Sequence, residues 1–150
     1  MTGKKTIHIL TFVGLAGSGK TTAIERCAEH GIPHVSGNSA DALSDEINHL
    51  AEVGQRILVT DSIDSSEQHR ALKNLYPGQV TVIAIVSSRH HRHLRKKNLS
   101  ASELDALDWE HVERGSLGAV IALADHSISN NASLEQYLAD IDQLVDEISK

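Results

Sequence analysis

The chain carries a single cysteine, Cys27, so an intramolecular disulfide is excluded. Cys27 shares a helical face with Ile24 and Ala28 and reads as a small buried hydrophobe, not as a reactive thiol. Long apolar runs are also missing. The hydrophobic stretch that follows Met1 to Thr6, where Lys4 and Lys5 stand, is short and runs on into a glycine-rich loop. It fits a strand and not a signal peptide or a membrane span, which points to a cytoplasmic protein without a membrane partner. Positive charge is scarce, with 14 Lys and Arg against 20 Asp and Glu and a net charge of −6. A broad nucleic-acid surface needs clustered Lys and Arg, so this balance disfavours one, while a local positive pocket for a small polyanion stays compatible. No repeat, low-complexity tract or linker divides the 150 residues, which are too few for two ordinary domains. Residues 1–150 are therefore expected to form one domain, and nothing in them specifies an oligomeric state.

Against these absences stands one informative stretch, Gly14-Leu15-Ala16-Gly17-Ser18-Gly19-Lys20-Thr21. It fills every position of the phosphate-cradling loop pattern and lies between a strand-like run, 7 to 13, and a helix-like run, 22 to 30, that Gly31 closes. Glycines at 14, 17 and 19 allow backbone angles and close approaches that a side chain would block, so successive amides can turn onto phosphate oxygens. The helix N-terminus adds its dipole. Gly14, Ala16, Gly17, Ser18, Gly19, Lys20, Thr21 and Thr22 are the expected nucleotide-binding residues. Lys20 is expected to reach the terminal phosphates and Thr21 to ligate Mg²⁺.

Strand and helix signals alternate along the rest of the chain, as in a parallel sheet covered by helices on both faces. His34-Val35 reads as a short second strand, 57 to 61 as a third, 80 to 86 as a fourth buried on both faces, and 126 to 129 as a fifth. Between them, Ser39, Ser65, Ser100 and Ser133 stand where N-caps belong, the last three with Gln or Glu three residues on, as in capping boxes. The expected fold is a three-layer α/β domain with five parallel strands in the order 2-3-1-4-5. Its terminal helix carries Leu134, Leu138, Ile141, Val145 and Ile148 on one stripe.

Phosphoryl transfer needs neutralised phosphates, a held metal and an acceptor in line. Asp61, at the end of a hydrophobic strand, is placed to reach Mg²⁺ or an acceptor hydroxyl, although a strand-end Asp also caps turns. Asp64 reads as a surface or turn residue. Five of the 14 Lys and Arg lie between Arg89 and Lys97. Arg92 or Arg95 from this basic helix is expected to close over the transferring group, within a lid-like region around 89–115. His90, His91 and His93 resemble a metal cluster, but adjacent histidines point to different sides. Glu110, Glu113 and Arg114 are explained by i to i+4 pairing of Glu110 with Arg114. Asn130 and Asn131 follow the last strand, either where an open sheet meets a nucleotide base or as ordinary turn formers.

Together these segments resemble the small phosphate-loop kinases of the nucleoside monophosphate and dephospho-CoA kinase type, including uncharacterised archaeal kinase-like relatives. The likeness rests on residues 13–21, on Val59-Thr60-Asp61-Ser62-Ile63, on Ser88-Arg89 through Arg95, and on Ala124-Asp125-His126-Ser127-Ile128-Ser129-Asn130 with Ser133-Leu134-Glu135. It implies an ATP and Mg²⁺ donor site, a lid bearing arginines, Asn130 bordering the adenine, and a small-molecule acceptor over the strand ends. Relatives usually show Asp-Gly-Ile-Arg where this chain has Asp61-Ser62-Ile63-Asp64. The acceptor-binding insert between Pro33 and Val59 is short, and its sole arginine is Arg56. The implied acceptor is thus a nucleotide or a dephospho-CoA-like molecule, the alternative being an ATP-binding module or weak ATPase.

Overall fold

The computed structural model describes residues 6–150, so the strand character expected for the start of the chain is only tested from Thr6 onward, and residues 1–5 lie outside the described residues. The order of elements is β1 (His8–Val13), α1 (Lys20–Glu29), α2 (Ala40–Glu52), β2 (Ile57–Thr60), α3 (Ser66–Leu75), β3 (Val80–Val86), α4 (Arg89–Arg95), α5 (Ala101–Arg114), α6 (Leu117–Ala122), β4 (His126–Ser129) and α7 (Leu134–Ser149).

Among the described residues all strand pairings are parallel, and the sheet has four strands in the order β2-β1-β3-β4. Five strands in the order 2-3-1-4-5 were expected; the count is corrected to four, which stand as 3-1-4-5 in the numbering of that expected set. The segment at His34-Val35 contributes a single bridge, His34 opposite Val59, instead of a strand. Pro33 offers only its carbonyl, which accepts the Val59 amide at 2.9 Å, and the Val35 amide donates to the Val59 carbonyl at 2.9 Å. With Gly37 two residues further on, no ladder continues.

Strand alternation sets the layers. Leu10 and Phe12 of β1, Val59 of β2, and Ile83 and Ile85 of β3 pack against Ala23, Ile24 and Cys27 of α1 and Tyr137, Ile141 and Val145 of α7. On the other face Ile9 and Leu58 meet Leu43, Ile47 and Leu72 of α2 and α3, while Val13, Val82 and Ala84 meet Leu117 and Val120 of α6. The α7 stripe is realised from Tyr137 onward; Leu134, at the helix start, is 62% exposed. Cys27 is fully buried, and burial pushes its thiol up to about 11.

Five helices begin on a serine whose side chain accepts a backbone amide: Ser39, Ser65, Ser88, Ser100 and Ser133. The reciprocal bond of a capping box is formed at Ser100 with Glu103. At Ser65 and Ser133, where boxes were also expected, the serine side is the bond observed, to the amides of Gln68 and Gln136. Helix α1 is different. Its N-cap is Gly19, with φ 114°, and no side chain caps it. The first amides of α1 therefore open onto the loop that precedes them.

Candidate functional site

In the loop from Gly14 to Thr21, the four carbonyls of residues 16–19 are tied outward, one after another, by side chains of α4, of the segment after β4 and of α7. Arg92 Nη1 donates to Ala16 O at 3.3 Å and Arg95 Nη1 to Gly17 O at 2.9 Å. Asn130 Nδ2 donates to Ser18 O at 2.8 Å, and Tyr137 Oη to Gly19 O at 2.7 Å. In a trans peptide the N–H points opposite to the carbonyl, and the described chain has no cis bond. Of the amides that follow these carbonyls, that of Ser18 donates to the Leu15 carbonyl at 3.0 Å, and those of Gly17, Gly19 and Lys20 turn away from the tethered oxygens as donors for an anion.

The glycines are needed for this shape. Gly17 and Gly19 have φ of 80° and 114°. A side chain at Gly14 would bring its Cβ within 2.5 Å of Ser18 Oγ and 2.7 Å of the Ile85 carbonyl of β3. Ser18 is almost fully buried, and its Oγ lacks a hydrogen-bond partner. Lys20 Nζ donates to Gly14 O at 2.8 Å, folding the ammonium back over the loop. Burial pulls the Lys20 ammonium below its usual range, and the charges of Asp61 and Asp64 oppose that pull. Thr21 is exposed on the first turn of α1, and Thr22 is half-buried.

Lys20 and Asp61 meet in one cleft of about 570 Å³, whose walls include Gly14, Asp64, Glu110 and Arg114. Asp61 Oδ1 also holds His34 Nε2 at 2.8 Å. Helix α5 reaches this cleft because the Gly115 carbonyl accepts the Ser66 amide at 2.9 Å, docking the end of α5 on the start of α3. A Cβ at Gly115 would stand 2.9 Å from the Asp64 carbonyl. The Glu110 to Arg114 pair exists at 3.0 Å as its spacing predicts, yet both residues also line the cleft, as does Asp64. Reading those residues as plain surface missed this. Helical spacing reveals the pair, but only the α5 to α3 docking brings it to the cleft.

The two arginines expected in the lid are differently employed. Arg92 is 4% exposed, and its guanidinium is clasped by Asp108 of α5 through contacts of 2.7 and 2.8 Å. Its Nε donates to the Ser87 carbonyl. Arg95 spans Gly17 O, Ser87 Oγ and Asn130 O, the last at 2.6 Å. Neither is among the residues lining the cleft beside Lys20, and both brace the loop through its carbonyls. Asn130 is likewise buried with its side chain on the loop, and Asn131 Oδ1 accepts the Ser88 amide at 2.8 Å. The histidines of the basic helix part company: His91 Nδ1 meets Ser88 Oγ at 2.6 Å and His93 Nε2 meets the Leu99 carbonyl at 3.1 Å.

A hollow of similar size, about 550 Å³, lies at the start of β1 and β2 beside His8, Arg56 and Gln79. It is at the wrong end of the strands for a ligand of an open α/β sheet, where sites gather at the carboxyl ends.

No family model matches the chain. It is 28% identical to a UPF0200 protein of Thermococcus sibiricus over 182 aligned positions, spanning 93% of this chain and 95% of the relative. A UPF0200 protein of Sulfurisphaera tokodaii is 26% identical, over 95% of this chain and 98% of the relative. The 182 positions exceed the 150 residues available, so this chain is gapped opposite internal segments of the Thermococcus protein. Among solved structures, shikimate kinase from Bacteroides thetaiotaomicron superposes with a TM-score of 0.61 at 10% identity, over 95% of this chain and 99% of that one. A gluconokinase from Sinorhizobium meliloti superposes at 0.56 and 18%, over 98% of each chain. The protein TT1252 from Thermus thermophilus gives 0.65 and 14%, over 95% and 98%. The chain therefore has the fold of small phosphate-loop kinases.

Proposed function

We propose that this protein transfers the γ-phosphoryl group of ATP to a hydroxyl of a small-molecule acceptor, as one domain with residues 89–115 as its lid-like part. The observation that carries this reading is the outward tethering of four consecutive loop carbonyls beside a cleft that joins Lys20 to Asp61. ATP fits the residues present: the loop is a cradle that a Cβ would fill, it holds the unpartnered Ser18 Oγ, and the helix behind it lacks a side-chain cap. For Mg²⁺, Thr21 and Asp61 would supply hard oxygen donors. Held by these residues, Mg²⁺ would supply neutralisation of the phosphate charge.

The protein's own part follows from its geometry. The loop amides and Lys20 bind the phosphates, with Lys20 leaving Gly14 O to do so. Asp61 accepts the proton as the acceptor oxygen bonds to the γ-phosphorus and the bridging oxygen departs with ADP. His34, whose Nε2 stands 2.8 Å from Asp61 Oδ1, fixes that carboxylate's direction. Arg92, Arg95 and Asn130 act through the loop they hold. No helix among the described residues is long and apolar enough to cross a membrane, which supports the cytoplasmic placement that an ATP-dependent reaction calls for.

A second reading, an ATP-binding module or weak ATPase, is favoured by the gaps opposite internal segments of the relative, which leave little chain to cover an acceptor. A coupled assay with Mg-ATP and a panel of nucleoside monophosphates, dephospho-CoA and small alcohols separates the two. A phosphorylated acceptor supports the kinase, and phosphate released to water alone supports the module.

A further inference from the structure

The acceptor side of the cleft has a charge pattern that selects among small molecules. Its walls carry three carboxylates, Asp61, Asp64 and Glu110, with Lys20, Arg114 and His111 as the cationic or titratable groups among them. Lys20 is committed to the donor phosphates in the reading above. Arg114 is already paired with Glu110 at 3.0 Å. His34, the group facing Asp61 from the segment before α2, is paired with that carboxylate at 2.8 Å. Arg92 and Arg95, which elsewhere in the chain supply forked donors, are spent on Asp108 and on the loop carbonyls. No guanidinium or ammonium among the described lining residues is thus left to receive a carboxylate or a phosphate on the acceptor, and Asp64 lies at the cleft edge to repel one.

We infer that the acceptor is an uncharged or amine-bearing hydroxy compound, a polyol or amino-polyol, and that molecules bearing a phosphate or carboxylate are excluded. This rests on the phosphoryl-transfer reading of the same cleft and narrows it. An ammonium on the acceptor would find the exposed Asp64, and its hydroxyls would find Asp61.

The test keeps the intact chain saturated with Mg²⁺ and a non-hydrolysable ATP analogue, and maps the cleft's field by nuclear magnetic resonance. Two nitroxides of matched structure, one bearing an amine and one a carboxylate, are added in turn. The amine probe is expected to relax the amides of residues 61–65 and 110–115 about twofold or more over the carboxylate probe, because counter-charged solutes concentrate at a field of that sign. In Asp64→Arg, an exposed position, that preference should vanish or invert. Equal relaxation by both probes in the wild type, or stronger relaxation by the anionic one, overturns the inference. So does faster phosphorylation of gluconate than of the matched six-carbon glucitol and glucamine. Failure of the nucleotide reading shows separately, as an absence of shifts at residues 14–21 when the analogue is added.

Discussion

On the donor side of Lys20, Ala16, Gly17, Ser18 and Gly19 each give a carbonyl to a side chain that is anchored in α4, after β4 or in α7. On the acceptor side, Asp64, Glu110 and Arg114 stand exposed, the last two paired with one another. The donor half is shaped by backbone and packing, so its geometry is fixed before a ligand arrives and little ordering is left to do on binding. The acceptor half is written in exposed side chains, which can be exchanged at little cost to the fold. Specificity is thus expected to change without the loop being touched.

The largest effect that would break this contrast is on the scaffold beneath the loop. Asp108→Ala leaves the Arg92 guanidinium buried and unpaired, and is expected to cost about 3–5 kcal/mol in urea denaturation. A loss below ~1 kcal/mol would show that the pair does not anchor the loop. Lys20→Ala should cut turnover by about 100-fold or more, by analogy with removing one preorganised donor, while the melting temperature barely moves. An unchanged rate would make the loop a relic. Tyr137→Phe removes the hydroxyl from Gly19 O and should cost about 1 kcal/mol, read as a raised KM for ATP with the acceptor KM unchanged. An acceptor-only effect would contradict the division into halves.

The smallest effect concerns Cys27 in the α1 layer that supports the loop. Its thiol is raised from its usual 9.0 to about 11 by burial, so the native state resists the thiolate more than the unfolded chain does. The sign follows: stability is intact below pH 9 and falls as pH climbs toward about 11. Thiol reagents at pH 8 should react only on unfolding, and rapid labelling of folded protein would show that this layer opens.

The loop, α1 and the alternation of elements were legible because their signals are local: glycine spacing, serine caps and apolar periods need no knowledge of the partner. The strand count failed at His34-Val35, since whether two extended residues become a strand is decided by the edge of β2 and by the missing Pro33 amide. The braces failed for a related reason. Asp108 sits one turn after the buried Leu104, a lone carboxylate on an apolar stripe that hints at a buried cation, but which cation depends on how α5 lies over α4. Tyr137 belongs to the same stripe as Ile141 and Val145, and its apolar ring concealed the hydroxyl's task on Gly19. Asp64 and Arg114, far apart in the chain, share a cleft only through the Gly115 carbonyl and the Ser66 amide.

Titration calorimetry of Mg-ATP into the folded wild type and into Lys20→Ala tests the central claim most directly. Saturable heat from the wild type, strongly weakened in the variant, is the predicted result. Flat traces from both, up to millimolar nucleotide, would contradict a triphosphate cradle at this loop.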